Sequence, residues 1–171
     1  MSYQSKVLVR NAREQDLPAV AEIAAKSSSA DRPAEKLETL QRRLTVFPNG
    51  FFILVAENEI AAYGSSEKWL TEREPGMDEN PLATHQPEGR IFWINAIVVK
   101  RKYQGRGYRL LILDKLIEMA HLEGCRKILL ETTDAQELYR QRGFTTVRNR
   151  TERGVSLDVM SLEMKSISRA P

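Results

Sequence analysis

Val98-Val99-Lys100-Arg101-Lys102-Tyr103-Gln104-Gly105-Arg106-Gly107-Tyr108 is the stretch that decides the fold. Before it, Arg90 to Val99 is rich in β-branched and aromatic residues and reads as a long strand. After it, Leu110, Leu113, Ile117 and Ala120 recur at helical spacing, with Leu116 and Met119 widening the apolar face and Gly124 placed as a C-cap. Lys127 to Glu131 reads as the next strand. A strand, helix and strand in that order demand a parallel crossover. Amide groups in a glycine-bearing loop converge with a helix N-terminus, where the dipole favours an anion. Lys100, Arg101, Lys102, Arg106 and Arg109 add five positive charges in ten residues, with no acid among them. Together these define a candidate pyrophosphate site. A Walker loop is absent, and Leu110 stands where a dinucleotide fingerprint needs its third glycine, which disfavours ATP and NAD.

Toward the N-terminus, Lys6 to Val9 is a short strand signal. Asp16 is placed to cap a helix with Pro18 in its first turn and Leu17, Val20, Ile23 and Ala24 as its stripe. A second helix is expected from Pro33 to about Leu44. Phe51 to Ala56 and Ile60 to Trp69 form a hairpin around Glu57-Asn58-Glu59, and Leu70 to Gly89 is aperiodic. Toward the C-terminus, Thr133 with Gln136 reads as a capping box opening a short helix that ends at Gly143. Phe144 to Arg148 and Val155 to Met164 are the last strands. The order is β-α-α-β-β-β-α-β-α-β-β. It predicts an α/β (α+β) fold over residues 1–171 as a single domain, with a mixed, largely antiparallel central sheet and helices on both faces.

The 171 residues are 42% apolar and 29% charged, an ordinary core-forming composition. No apolar run approaches a membrane span, and Met1 to Arg10 lacks the apolar core of a secretory signal. A single cysteine and two histidines exclude an internal disulfide and a Cys/His zinc site. A reducing cytoplasm is the default location. The net charge of +3 is too small to argue for nucleic acid, and aromatic residues are sparse among the arginines.

The loop resembles that of the GCN5-related N-acetyltransferases (GNAT), whose acetyl-CoA loop follows Q/R-x-x-G-x-G/A. Gln104 and Gly107, framed by Val99 and Tyr103, fit it. A second family signature is similar: Ala135, Leu138 and Tyr139 on a short helix, then Gly143 and Phe144 opening a strand. The element order matches the family over nearly the whole chain.

The resemblance implies a fold in which the strand before the loop splays from its neighbour at a bulge. Ile97, Val98 and Val99 would then pair with the pantetheine arm of acetyl-CoA through their main chain. Gln104, Gly105, Arg106, Gly107, Tyr108 and Arg109 would wrap the pyrophosphate. Arg109 departs from the family's Gly or Ala. It could clash, point outward or contact a phosphate itself. Tyr139 would be the general acid that protonates the CoA thiolate. The implied activity is direct acetyl transfer from acetyl-CoA to a primary amine in a ternary complex. The acceptor would be a small-molecule or peptide amine, with no nucleic acid, no membrane and no metal. Relatives are often dimers, so a homodimer is allowed. The alternative is a non-catalytic acyl-CoA-binding regulatory module of the same fold.

No general base is evident. Ile91 to Val99 carries no carboxylate, Asn95 standing where one could act. Glu67, His85 or a water relay remain. Residues 67–88 hold six acids against Lys68 and Arg73, a local balance of −4 that could draw a cationic acceptor. Trp69, Phe92 and Trp93 could instead frame an aromatic amine. Alternation places Phe92 and Trp93 on opposite faces.

Overall fold

The structure, a computed structural model, describes residues 6–27, 34–76 and 78–165. Its elements are β1 (Leu8–Asn11), α1 (Leu17–Lys26), α2 (Leu37–Val46), β2 (Phe52–Ala56), β3 (Glu59–Trp69), α3 (Pro81–Thr84), β4 (Ile91–Val99), α4 (Tyr108–Leu122), β5 (Lys127–Thr132), α5 (Gln136–Arg140), β6 (Thr145–Glu152) and β7 (Val155–Glu163). The expected order holds, with α3 added inside the aperiodic stretch. This single turn starts at Pro81, and the Asn80 side chain accepts the Leu82 amide. Four residues are too few to show a period, so hydropathy alone could not reveal it. The expected start of the second helix, at Pro33, lies outside the described residues.

The sheet order is β1-β2-β3-β4-β5-β7-β6. Among the described residues, only β4 and β5 pair in parallel, joined by the crossover through α4. On one face Phe92, Ile94, Ile97 and Val99 pack with Ile112, Leu113 and Leu116 of α4. On the other, Ile53 and Tyr63 pack with Leu17, Val20, Ile23 and Ala24 of α1 and Leu40 of α2. The α1 stripe read from sequence is therefore the buried one. Asp16 does not cap α1 with its side chain. Its carboxylate turns back to the Arg10 guanidinium in two bonds of 2.8 and 3.0 Å and to the Arg13 amide at 2.7 Å. A charged, bidentate partner outcompetes the helix amides.

Two irregularities coincide in β4. Ser65 pairs with Ala96 but Ser66 pairs with Ile94, so Asn95 is an extra residue bulged out of the register. The parallel ladder with β5 runs only through Ile91–Lys127, Phe92–Ile128 and Trp93–Leu129. From Ile94 onward β4 has lost that neighbour, while β5 continues against β7 to Thr132. A bulge bends and twists its strand. Here it falls where the two strands part, leaving a wedge-shaped gap open toward the end of β4.

The β2–β3 turn, Glu57-Asn58, places two non-glycine residues at positive φ (53° and 63°), as a tight two-residue hairpin requires. It carries Glu57 and Glu59 toward the loop that follows β4.

Candidate active site

The gap is bordered by the end of β4, the loop after it, the first turn of α4 and the short helix α5. Gly105 and Gly107 take φ of 83° and 82°, a region side chains rarely adopt, and a Cβ at either would meet nothing. The demand is therefore on backbone conformation, and the surface over the loop is open. Gly107 leads into α4. Among the described residues, no main-chain acceptor takes the amides of Gly105 to Arg109. These donors gather at the positive end of a 15-residue helix dipole, a ready anion site.

The basic residues of the loop are less free than the sequence suggests. Lys100 and Lys102 both bind Glu59, at 2.8 and 3.1 Å. Those two ammonium groups hold the Glu59 carboxyl down to about 2. Arg106 lies 3.4 Å from Glu57, which also accepts the Tyr103 hydroxyl at 3.2 Å. Acids from the β2–β3 turn thus anchor the loop and neutralise part of its charge. Nothing in the linear pattern joins residues some forty positions apart. Tyr108 is buried beside Tyr103, their rings 6.0 Å apart.

Ile97 and Val99 are buried on the α4 face and Val98 is half-buried on the other. The Ile97 and Val99 carbonyls, alternate residues and so on one side of the strand, are both taken by side chains. Gln104 Nε2 donates to Val99 at 3.3 Å, and Arg109 Nη1 donates to Ile97 at 3.2 Å. Arg109 therefore points neither outward nor over the loop amides. It reaches into the gap, where the same Nη1 lies 3.5 Å from the Tyr139 hydroxyl. Tyr139 is buried on α5, its ring edge-on to Phe144 at 5.9 Å. Its helix is held by Thr132, whose hydroxyl accepts the Ala135 amide at 3.0 Å. The expected Thr133–Gln136 capping box is not formed. Gln136 instead donates to the Thr133 carbonyl and to Asp158.

The two base candidates are held by other partners. Glu67 is buried on β3 and fully engaged: it accepts Trp69 Nε1 at 2.7 Å and the Thr84 hydroxyl at 2.9 Å, with Arg43 and Arg73 at 3.8 and 3.7 Å. His85 is buried against Phe47, ring centroids 5.1 Å apart, and its Nδ1 accepts the Lys68 amide. Lys68 Nζ reaches Glu123, which follows the last turn of α4. That is the opposite end of α4 from Arg109, about 20 Å away at roughly 1.5 Å per residue. His85 thus packs at the far end of α4, and the Glu67 carboxylate is taken up by Trp69 and Thr84.

The acidic stretch also differs from the expected lid. It leaves the sheet at the closed end of the gap, where Glu72 binds Lys127 at the start of β5. Glu79 is taken by Arg73 in two bonds of 2.6 and 2.9 Å. Trp69, Phe92 and Trp93 are core residues; Trp69 stacks on Trp93 at 4.6 Å, and Phe92 lies on the opposite face as alternation requires. The Cys125 thiol is buried and pushed up to about 11, so it is protonated near neutrality. It too lies at the far end of α4.

What sequence reading missed is a pair of polar groups at the bulge. Ser65 Oγ on β3 and Asn95 Nδ2 on β4 are buried with no hydrogen-bond partner among the described residues. In the sequence Asn95 stands out only as a position without a carboxylate, and nothing in the pattern signals Ser65. Among the described residues, no His, Cys, Asp and Glu side chains group to hold a metal, and no helix is long and apolar enough to cross a membrane.

A strand edge opened at a bulge, with free amides at a helix N-terminus beside it and a buried tyrosine opposite, is the arrangement that the sequence resemblance implied. A sequence profile of the acetyltransferase (GNAT) family matches residues 17–144. The chain belongs to that family. Comparison with curated proteins finds no match. Among solved structures, the loading GNATL domain of CurA from Lyngbya majuscula superposes with a TM-score of 0.81 at 15% identity, over 92% of this chain and 98% of that one. Salmonella typhimurium yncA, solved with its cofactor acetyl-CoA, superposes at 0.71 with 16% identity, over 95% and 96%. The ribosomal-protein-S18-alanine N-acetyltransferase of Escherichia coli does so at 0.67 with 19% identity, over 96% and 99%. At these identities the likeness is one of fold.

Proposed function

We propose that residues 1–171 form one cytoplasmic N-acetyltransferase domain, which moves an acetyl group from acetyl-CoA to a primary amine by direct transfer in a ternary complex. The observation that carries this reading is the unpaired edge of β4 running into the free amides of Gly105 to Arg109. An extended, amide-bearing ligand can add to such an edge as a strand would, while its pyrophosphate meets the amides. In this reading Ile97, Val98 and Val99 pair with the pantetheine arm, and Gln104 to Arg109 surround the phosphates with their main chain, the Arg109 side chain lying toward Tyr139. The open space over Gly105 and Gly107 fits that role.

The amine nitrogen bonds to the thioester carbonyl carbon, and the carbon–sulfur bond breaks with its electron pair going to sulfur. Tyr139 gives its phenolic proton to that sulfur. The attacking amine loses a proton to water, since Glu67 and His85 are both occupied structurally. The buried Cys125 thiol favours direct transfer over an acetyl-cysteine intermediate. The acceptor is a small-molecule or peptide amine. The Escherichia coli structural neighbour, by its name, acts on an alanine amine of a protein, which supports a peptide acceptor as one class to screen.

One observation favours a second reading, an acyl-CoA-binding module without turnover: Arg109 fills the Ile97 carbonyl that the arm would use. Melting the protein with acetyl-CoA, with NAD and ATP as controls, tests the cofactor site. Ligand at about 100 times its Kd stabilises by about 2.7 kcal/mol, a rise of about 5–10 °C at this size. A rise with acetyl-CoA alone supports either reading, and CoA release with an amine panel then selects the enzyme. No rise with acetyl-CoA counts against both.

A further inference from the structure

Arg109 stands in the first turn of α4, where a cation opposes the helix dipole. Helix stability does not account for it there. Among the described residues no carboxylate lies within ion-pair distance of its guanidinium, unlike Arg106, Arg142 and Arg150. Its partners are two neutral oxygens, the Ile97 carbonyl and the Tyr139 hydroxyl, and both border the gap. It is half-buried, so its charge is only partly screened by water. A cation held by neutral acceptors at a strand edge is poised for an anion that arrives there.

The phosphates are not that anion, because Arg109 is turned away from the loop amides and toward Tyr139. The proposed reaction creates one negative charge beside Tyr139, the sulfur of CoA as the carbon–sulfur bond breaks. We infer that Arg109 is a charge-stabilising residue for the CoA thiolate, working beside Tyr139, which delivers the proton. The inference rests on the reading of the gap as an acetyl-CoA site. One Nη1 makes both present contacts. The other guanidinium N–H groups are available to sulfur while the pantetheine arm takes the Ile97 carbonyl. The cation stays charged throughout: the bond's electron pair goes to sulfur, the proton comes from Tyr139, and Arg109 gives up nothing. Preorganised charge of this kind acts where charge develops, at no reorganisation cost during the reaction.

Few other ionisable groups face the same place. β4 presents none along Ile91–Val99. On β5, Glu131 is held by Arg150 in two bonds of 2.6 and 2.8 Å, and Lys127 lies at the closed end between Glu72 and Glu163. On α5, Tyr139 is the facing group, and Arg140 is paired with Glu137.

The test is calorimetric binding of CoA and of desulfo-CoA, which lacks the sulfur, to the full chain from pH 6 to pH 9. Titrations of phosphate and loop cancel in the ratio of the two Kd values, leaving the thiol. A nearby cation lowers the pKa of an acid by about one to three pH units. The preference for CoA over desulfo-CoA is therefore expected to climb about threefold to a hundredfold with pH in the native protein. It should stay near flat in Arg109→Met and recover in Arg109→Lys. A flat ratio in the native protein, or the same climb in Arg109→Met, overturns the inference while leaving the cofactor site standing. Failure of both ligands to bind the native protein overturns the proposed function and this inference with it.

Discussion

Gly64 of β3 lies directly beneath Ile112 of α4: a Cβ built on Gly64 would come 2.5 Å from Ile112 Cγ2. No real Cβ contact is that short. The close approach lets α4 settle onto the sheet, and α4 carries Arg109 and the amides of the loop. Gly64→Ala is expected to cost about 1–3 kcal/mol in urea or thermal melts. Ile112→Ala in the same chain should recover part of that loss. Simple addition of the two losses would show that the contact is not what constrains the position.

Tyr139→Phe keeps the ring against Phe144 and removes only the hydroxyl. Turnover should fall about 10²–10⁴-fold, the range of general acid–base groups, with the acetyl-CoA melting shift unchanged. Unchanged turnover on the true acceptor would remove the acid role.

Arg109→Gly restores the family's small residue and frees the Ile97 carbonyl. Acetyl-CoA, whose thioester is neutral, should bind as well as before or more tightly, read from the melting shift. A large loss of affinity would instead make Arg109 a phosphate ligand.

Glu67→Gln tests whether this buried carboxylate is structural. It keeps the shape while removing the charge that faces Trp69, Thr84, Arg43 and Arg73. A stability loss of about 1–3 kcal/mol is expected, with the pH profile of turnover unmoved. Disappearance of the fall in turnover at low pH, where a carboxylate base would be protonated, would return Glu67 to the reaction.

His85 makes stability depend on pH in a defined window. Burial, and then the Lys68 charge, push it below its ordinary 6.5, with Glu123 opposing. Between that lowered value and 6.5 the unfolded chain takes a proton that the folded one refuses. The contribution is complete above 6.5 and is lost as pH falls, by up to about 1.4 kcal/mol per pH unit. Urea melts from pH 7.5 to 5 should show this slope, and His85→Gln should flatten it. Asp16, held down by Arg10, adds a separate loss only as pH falls through the carboxylate range and below.

The periodic parts of the fold were legible in the sequence. The α1 stripe, the α4 face and the parallel crossover follow from spacing, and Gly105 and Gly107 mark the loop. The candidate site is visible in the sequence only where it is local, from Gln104 to Arg109 and around Tyr139. The rest depends on contacts distant in the chain. Glu57 and Glu59 reach the basic loop because a hairpin turn swings them there. The bulge at Asn95 is one residue of slack in a register that no pattern records. Neither expected cap forms, for one reason: Asp16 and Gln136 each bind another partner, Arg10 and Asp158, that only the fold brings near.

The parting of β4 from β5 after three paired residues gives the sheet an interior edge as well as its two outer ones. Edges are where sheets recruit foreign strands, and barrels or covering helices normally suppress them. In this chain the side chains of Gln104 and Arg109 sit across that edge like stitches, occupying the carbonyls of Val99 and Ile97. An edge stitched in this way offers fewer free carbonyls to a strand from another copy of the chain.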